Sequence, residues 1–130
     1  MKSSAFAAVF LAAAITFPAQ ADPVHGLWRT APDDNGNTGI VEITACGNRI
    51  CGALVEAHDS QQQVVSSPNV GRQIVLDMEP RGSGQYRNGR VWAPDRDRTY
   101  NARMELRGDQ LAVSGCVLMV CRDALWTRAH

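Results

Sequence analysis

The chain of 130 residues is long enough for one domain with a modest core, and its 13 basic and 13 acidic side chains cancel. A near-neutral chain with interleaved signs excludes the basic surface that nucleic acid or an anionic membrane would require. Lys2 is the only lysine, so the remaining 12 basic residues are all arginine.

The N-terminal segment Met1–Ala21 has the three parts of a secretory signal peptide. A single lysine precedes the apolar run Ala5–Phe17, and an Ala-Gln-Ala ending follows. The run is too short and too lightly flanked to span a membrane. We therefore predict cleavage before Asp22 and a periplasmic or secreted protein with one domain, residues 22–130, whose net charge is −1 once the lysine is removed.

Alternating apolar and polar residues, separated by turn residues, predict short β-strands throughout the exported part. No helical periodicity extends beyond a turn or two. One connection is long, because the 15 mostly polar residues of Ala57–Gly71 predict either a mobile lid or a strap. The predicted strands are His25–Thr30, Thr38–Ala45, Gly52–Glu56, Gln73–Met78, a fifth near Val91, Thr99–Leu106, Gln110–Gly115 and Cys121–Arg128.

The segment Asn88–Leu106 predicts a central hairpin with an aromatic inner face. Tyr100 and Met104 alternate with polar and charged side chains, as in a strand that buries one face. Pro94-Asp95 marks the turn, because proline cannot donate to a ladder and aspartate favours turns. Asn88-Gly89 is either a tight hairpin turn or the start of a strand, and the spacing leaves both open.

Four cysteines lie in the exported part, in two pairs with the same C-x-x-x-x-C spacing. An even count in an oxidising compartment predicts disulfides. Four residues between two cysteines can fold back as a hairpin end, which favours the pairs Cys46–Cys51 and Cys116–Cys121. Zinc sites and thioredoxin-like redox pairs usually have two residues between the cysteines, so both alternatives fail on spacing.

Eight short strands joined by tight turns predict a sandwich or an up-and-down barrel. The two ends of the chain favour a small eight-stranded antiparallel barrel. Gly26 and Trp28 lie on the first strand, and Trp126 and Arg128 on the last, which would be neighbours after closure. This arrangement resembles the lipocalin-like superfamily, in which a Gly-x-Trp on the first strand packs at the closed end beneath a late arginine.

The central hairpin resembles a more specific family. The run Gly89–Pro94, followed by Arg98–Tyr100, is similar to the Gly-(Lys/Arg)-(Ile/Val)-(Tyr/Trp)-Asp-Pro and Gly-(Lys/Arg)-Thr-Tyr signature of the secreted bacterial domain of unknown function 2147 family. Cys51-Gly52, Leu111–Gly115 and Trp126–Arg128 fit the same family in order. The resemblance covers nearly the whole exported chain.

Two positions depart from the signature of that family. Ala93 stands where aspartate is usual and Asp97 where glycine is usual, which puts the geometry of this turn in question. What the resemblance implies is a small lipocalin-like barrel in the envelope or outside the cell, with no established activity.

Catalytic or metal-binding groupings are absent from the sequence. No two of His25, His58 and His130 have metal-ligand spacing, and we expect all three to be solvated. Glu42 and Glu56 are expected on opposite faces of the first hairpin, so they cannot share a proton. No nucleophile elbow or phosphate-binding loop is present. We therefore predict no enzyme, no metal and no cofactor.

The aromatic residues permit two interpretations. They either fill the barrel, as we favour for Trp28 and Trp126 at the closed end, or line a pocket, since an eight-stranded barrel can be filled or hollow. Such pockets are largely apolar with a few polar groups. The candidate pocket residues are Tyr86, Trp92, Tyr100 and Met104, with Arg90 or Arg103 as the anchor of an acidic head group.

Two functions from different classes follow. The first is binding of a small apolar or amphipathic molecule. The second is a protein-interaction module, such as a barrel-type inhibitor of a secreted protease, acting through an exposed segment Asp22–His25 or through the loop Ala57–Gly71.

Overall fold

The computed structural model describes residues 3–5, 7–9, 11–12 and 21–130. The predicted signal peptide lies mostly outside these residues and stays a prediction. Within the described ranges, no helix is long and apolar enough to cross a membrane. The strands of the described chain are β1 (Gly26–Arg29), β2 (Thr38–Cys46), β3 (Arg49–His58), β4 (Val64–Val65), β5 (Gln73–Gly82), β6 (Gln85–Ala93), β7 (Arg98–Arg107), β8 (Gln110–Val117) and β9 (Val120–Arg128).

Eight of these strands close into an antiparallel barrel, which confirms the predicted fold class. The order around the barrel is β1-β9-β8-β7-β6-β5-β3-β2, and β2 pairs again with β1. The closing contact between β1 and β9 is short, because only Trp28 with Arg128 and Arg29 with Thr127 are paired. Within the described chain, no strand pairs with Val120–Trp126 on the side of β9 that faces β1.

Antiparallel pairing divides the connections between two ends of the barrel. The turns that follow β2, β5 and β7 lie at the end where β1 begins, which we call the closed end. The connections after β1, β3, β6 and β8 lie at the opposite end, the open end. The longest of them is a strap, because β4 pairs with the end of β3 and Gly71 donates to the carbonyl of Leu54 at 2.7 Å.

Both predicted disulfides are confirmed. Cys46 and Cys51 are joined across the β2–β3 hairpin, and Cys116 and Cys121 are directly opposite each other in the β8–β9 ladder. The first bridge therefore lies at the closed end and the second at the open end. Disulfides of this kind indicate an oxidising, extracytoplasmic environment.

The Asn88-Gly89 pair lies inside β6, so it is neither the hairpin turn nor the strand start that the spacing left open. Asn88 has φ 59°, and the register with β7 shifts between Tyr86 and Gly89, as in a β-bulge. A Cβ on Gly89 would lie 2.7 Å from the Leu76 carbonyl oxygen. Glycine is needed here because the neighbouring strand approaches too closely for any side chain.

The inner face of the barrel carries one apolar core. Alternation places every second side chain of a strand inside, so the buried positions come from all the long strands. The fully buried side chains are Val24, Trp28, Val41, Ile43, Val75, Met78, Met104 and Leu111.

Candidate ligand-binding site

The N-terminal segment before β1 plugs the closed end of the barrel. Val24 is fully buried, and its carbonyl accepts a hydrogen bond from the Trp28 indole Nε1 at 2.8 Å. The Arg128 guanidinium lies 4.2 Å from the centre of the Trp28 ring and donates to the carbonyls of Pro23 and His25. Val24 therefore anchors the segment in the core, so the expectation of an exposed Asp22–His25 is wrong at Val24, although Pro23 is exposed.

Tyr86 anchors Asp22, the first residue of this plug, through a hydrogen bond. Its ring is buried, and its hydroxyl donates to the carboxylate of Asp22. Burial raises the pKa of the Tyr86 phenol well above its usual value, and the hydrogen bond to Asp22 and the negative charge of that carboxylate raise it further. Tyr86 thus belongs to the closed end and not to a ligand pocket at the open end.

Tyr86→Phe is expected to lower the unfolding free energy at neutral pH by about 1–2 kcal/mol, since it removes a charge-assisted hydrogen bond. Because the folded-state pKa of Tyr86 is raised, its contribution is fully present below the unfolded value of about 10 and is lost as pH rises further. Urea denaturation at neutral pH and above pH of about 10 checks this. The difference between wild type and variant should shrink in alkali, and a difference that stays constant with pH would contradict this prediction.

A cavity of about 600 Å³ opens at the other end of the barrel. The deep part of the cavity is lined by apolar side chains from β5, β6, β8 and β9. Its rim is formed by the β1–β2 loop, the strap and the β6–β7 turn. The barrel is thus filled at the closed end, where Tyr86 lies, and hollow at the open end, where Trp92 and Trp126 line the cavity. The apolar lining residues include Leu54, Ile74, Val91, Trp92, Val113, Ala124 and Trp126.

Arg122 is the only arginine or lysine among the described residues that line this cavity. It shares the inner face of β9 with Ala124 and Trp126, because side chains two apart point the same way. Its side chain forms no hydrogen bond or ion pair with another described residue, although its backbone is paired with Gly115 in the ladder. The guanidinium therefore has no side-chain partner at the mouth of a cavity whose deep part is apolar.

The acidic residues of the rim already have partners. Asp33 accepts the backbone N–H groups of Asn35 and Asn37, at 2.8 and 3.0 Å, and Asp59 accepts those of Gln61 and Gln63 at 2.9 Å. The other two acids of the rim, Asp34 and Asp95, lie near Arg96.

Arg96 connects two loops of the open end. It donates to Asp34 of the β1–β2 loop at 3.0 Å, and its Nε lies 4.0 Å from Asp95. The bond to Asp34 raises the pKa of Arg96, and a bond with Tyr100 adds to that rise. Because both partners are exposed, this contact is weak and can open readily.

Trp92 lies on the rim beneath the strap. The Arg72 guanidinium is 3.6 Å from the centre of its ring, and its indole Nε1 donates to Asp97 at 3.0 Å. Asp97 has φ 47°, the left-handed conformation that glycine favours and aspartate tolerates. Asp97, which stands where the family signature has glycine, therefore keeps the tight turn and adds a carboxylate that orients Trp92.

The structure separates the residues predicted to line one pocket. Of the candidate set, only Trp92 lines the open-end cavity. Met104 is almost fully buried in the core, and Tyr100 is half-buried beside Gly115. Arg90 and Arg103 lie on the outer face of β6 and β7, because they alternate with the inward residues on either side.

Sequence reasoning missed Arg122, and it did not foresee that Trp126, expected to fill the barrel, also reaches the cavity. The available signal was the two-residue alternation of β9, which puts Arg122 on the same face as the tryptophan. Trp126 lines the cavity, while Trp28 and Arg128 form the closed end.

The histidines are less solvated than expected. His58 is buried, and its Nδ1 accepts a bond from Arg29 at 2.9 Å while its Nε2 donates to Glu56. Arginine can only donate, so this contact requires the neutral Nε2–H tautomer. Nε2 of His25 is enclosed without a partner in the described part of the chain, and His130 is exposed.

One group of side chains has the spacing of a metal site but cannot bind a metal. The Cys46 and Cys51 sulfurs lie close to the Asp77 carboxylate. Both sulfurs are in a disulfide, so neither is the thiolate that binds a metal.

The closed barrel, its plugged end and its hollow end define a lipocalin-like protein. A solved structure described as protein HP1028 from the human pathogen Helicobacter pylori, which belongs to the lipocalin family, is similar to this chain with a TM-score of 0.67. The match covers 82% of each chain at 14% identity, so it concerns the fold alone. None of the curated proteins matches the sequence.

The family is shown by sequence. Residues 26–128 match the family described as uncharacterized protein conserved in bacteria (DUF2147), and the chain belongs to that family. The resemblance found in the central hairpin is thereby confirmed.

Proposed function

We propose that the open-end cavity binds a small amphipathic molecule with an apolar body and an anionic head group, and that the protein is a carrier and not an enzyme. The observation that carries this proposal is an arginine without a side-chain partner, Arg122, at the mouth of a cavity whose deep part is apolar and whose rim is polar. Most apolar ligand sites combine such a lining with a few polar groups that orient the ligand.

The size of the cavity supports a small ligand. Its volume of about 600 Å³ lies within the roughly 300–1,000 Å³ typical of small-molecule sites. Val113, Ala124 and Trp126 would contact the apolar body, and burying such surface is the main source of affinity.

The chemistry of the mouth supports an acidic head group. A guanidinium presents two parallel donors that match a carboxylate or phosphate. Asp33 and Asp59 are held by backbone N–H groups and Asp34 by Arg96, which limits their competition for Arg122.

Export is part of the proposal. Cleavage of the signal peptide before Asp22 would deliver the protein to the periplasm or the exterior. The resulting terminus would begin with the residue whose carboxylate accepts the Tyr86 hydrogen bond, so the plug would form from the first exported residues.

The rival function, an inhibitor of a secreted protease, would need a free segment to insert into its target. The N-terminal segment does not offer one, because Val24 is fully buried and Arg128 holds the carbonyls on either side of it. The strap Asp59–Arg72 is the remaining candidate for that role.

The direct test is a substitution that fills the cavity with a side chain of the protein itself. Gly115 lines the mouth, and a Cβ there would meet Tyr100 at 3.5 Å and Val91 at 3.8 Å, which are ordinary contacts. Gly115→Ala should therefore be tolerated, while Gly115→Phe should project a ring into the cavity. We expect native mass spectrometry of protein from its own envelope to show a bound small acid in wild type and Gly115→Ala, and none in Gly115→Phe.

Two results would count against the proposal. An empty wild-type protein that still captures a protease through the strap would favour the inhibitor. A small molecule bound equally by Gly115→Phe would place the ligand elsewhere.

A further inference from the structure

The β8–β9 hairpin ends in an apolar tip, which we define as Val117–Val120. Leu118 and Met119 are each 97% exposed, and the flanking valines are 57% and 71% exposed. Single exposed apolar residues are ordinary, but four consecutive ones without a polar neighbour form a contiguous patch. The described chain itself leaves this patch uncovered.

The tip is stiffened at its base. The Cys116–Cys121 disulfide joins the two strands immediately below it, where these cysteines are directly paired in the ladder. Leu118 has φ 54°, so the chain reverses tightly between the two valines. The four side chains are therefore held together as one wedge.

The tip projects from the open end of the barrel. Pairing with β7 stops at Cys116, opposite Asn101, and β1 reaches only Thr127 on the other side. The apolar residues thus lie beyond the last ladder pairs with both neighbouring strands, beside the mouth of the cavity. Arg122 follows the second cysteine and lies on the cavity side of β9.

We propose that the apolar tip docks the open end of the barrel on a lipid bilayer. A bilayer accepts a convex apolar wedge, because the side chains enter the boundary between head groups and acyl chains. A second copy of the chain is a poorer occupant, since a standard protein interface uses about 20–30 residues on each side and the tip has four. Arg122 would then lie at the level of the lipid phosphates, where arginine side chains are accommodated.

Docking of the tip on a bilayer does not require a ligand in the cavity. It adds a route by which an amphipathic molecule could pass between a membrane and the cavity without crossing water. Docking can be measured on the empty protein, so failure of docking and failure of ligand binding are separate results.

The first experiment measures co-sedimentation with vesicles of phosphatidylcholine, whose neutral surface suits a near-neutral chain without a basic patch. The tip variant is Leu118→Asn with Met119→Ser, since asparagine tolerates the positive φ of position 118. The control is Val55→Thr with Leu125→Thr, which removes two apolar side chains exposed on the barrel wall. All forms carry the same N-terminus, read by mass spectrometry, so an uncleaved leader cannot cause a difference.

We expect wild type and the wall control to partition equally, and the tip variant to partition at least about tenfold less, because two large apolar side chains no longer enter the lipid. The proposal is overturned if wild type does not sediment with vesicles, or if the tip variant sediments equally well. It is also overturned if the tip variant instead abolishes a concentration-dependent dimer or a protein complex.

A second measurement locates the contact. The native tryptophans Trp28, Trp92 and Trp126 are at most 7% exposed, so a tryptophan placed by Met119→Trp would dominate iodide quenching. Vesicles should shift its emission to the blue and protect it from iodide. An unprotected tip on a sedimenting protein would assign docking to another surface and refute the proposal.

Discussion

Trp28→Ala is expected to lower the unfolding free energy by about 3–5 kcal/mol, as is typical for deleting a buried tryptophan. The ring is fully buried at the closed end and is the point where three parts of the chain meet. Its loss removes the stacking partner of Arg128 and the donor to the Val24 carbonyl. The total free energy of unfolding of a small domain is only about 5–15 kcal/mol. A substantial fraction of the variant should therefore be unfolded on mild heating.

Equilibrium denaturation in urea measures this loss, with Trp28→Phe and Trp92→Ala as matched variants. Trp28→Phe keeps most of the packing and loses only the hydrogen bond. It should therefore lower the unfolding free energy clearly less than Trp28→Ala does. Trp92 lies on the rim, where its ring contacts Arg72 of the strap, and its removal should cost less than that of Trp28. If Trp92→Ala proved the more damaging, the closed end would not be the anchor of the barrel.

Arg122→Ala is expected to weaken the binding of a long-chain fatty acid by about ten- to a hundredfold, with little effect on the alcohol of the same chain length. The reason is that hydrogen bonds to charged groups contribute about 1.5–3 kcal/mol, and each 1.4 kcal/mol is a tenfold change in affinity. Isothermal titration calorimetry with the acid and the alcohol separates the head group from the apolar body.

The chain supplies a close control for this prediction. Arg103→Ala removes the same charge from the outer face of β7, where the side chain does not reach the cavity. We expect its affinity for the acid to equal that of wild type. An equal loss in both variants would mean that net charge, and not a contact at the mouth, controls binding.

The strand pattern and the disulfides were predictable because they depend on local order. A period of two in β2, β7 and β8 indicates strands with one buried face, and four residues between cysteines suit a hairpin end. The bulge at Asn88-Gly89 was not predictable, because it results from the close approach of β5, a contact between separate parts of the chain.

The candidate site was predicted less well than the fold. Trp92 lines the open-end cavity, while Arg90 and Arg103 were chosen on a hairpin whose bulge and register were unknown. The mouth is assembled from three connections and from β9, which the sequence places far apart. Which arginine faces the cavity depends on how β9 closes against β1.

By itself, the amino-acid sequence determined the all-β class, the two cysteine bridges and the family, since each depends on periodicity, spacing or motif. Only the tertiary structure decided that the barrel is plugged by Val24 at one end and hollow at the other, and that Arg122 lies at the mouth. The physical reason is that a hollow is the volume left by side chains from distant strands, and no local pattern records how they meet.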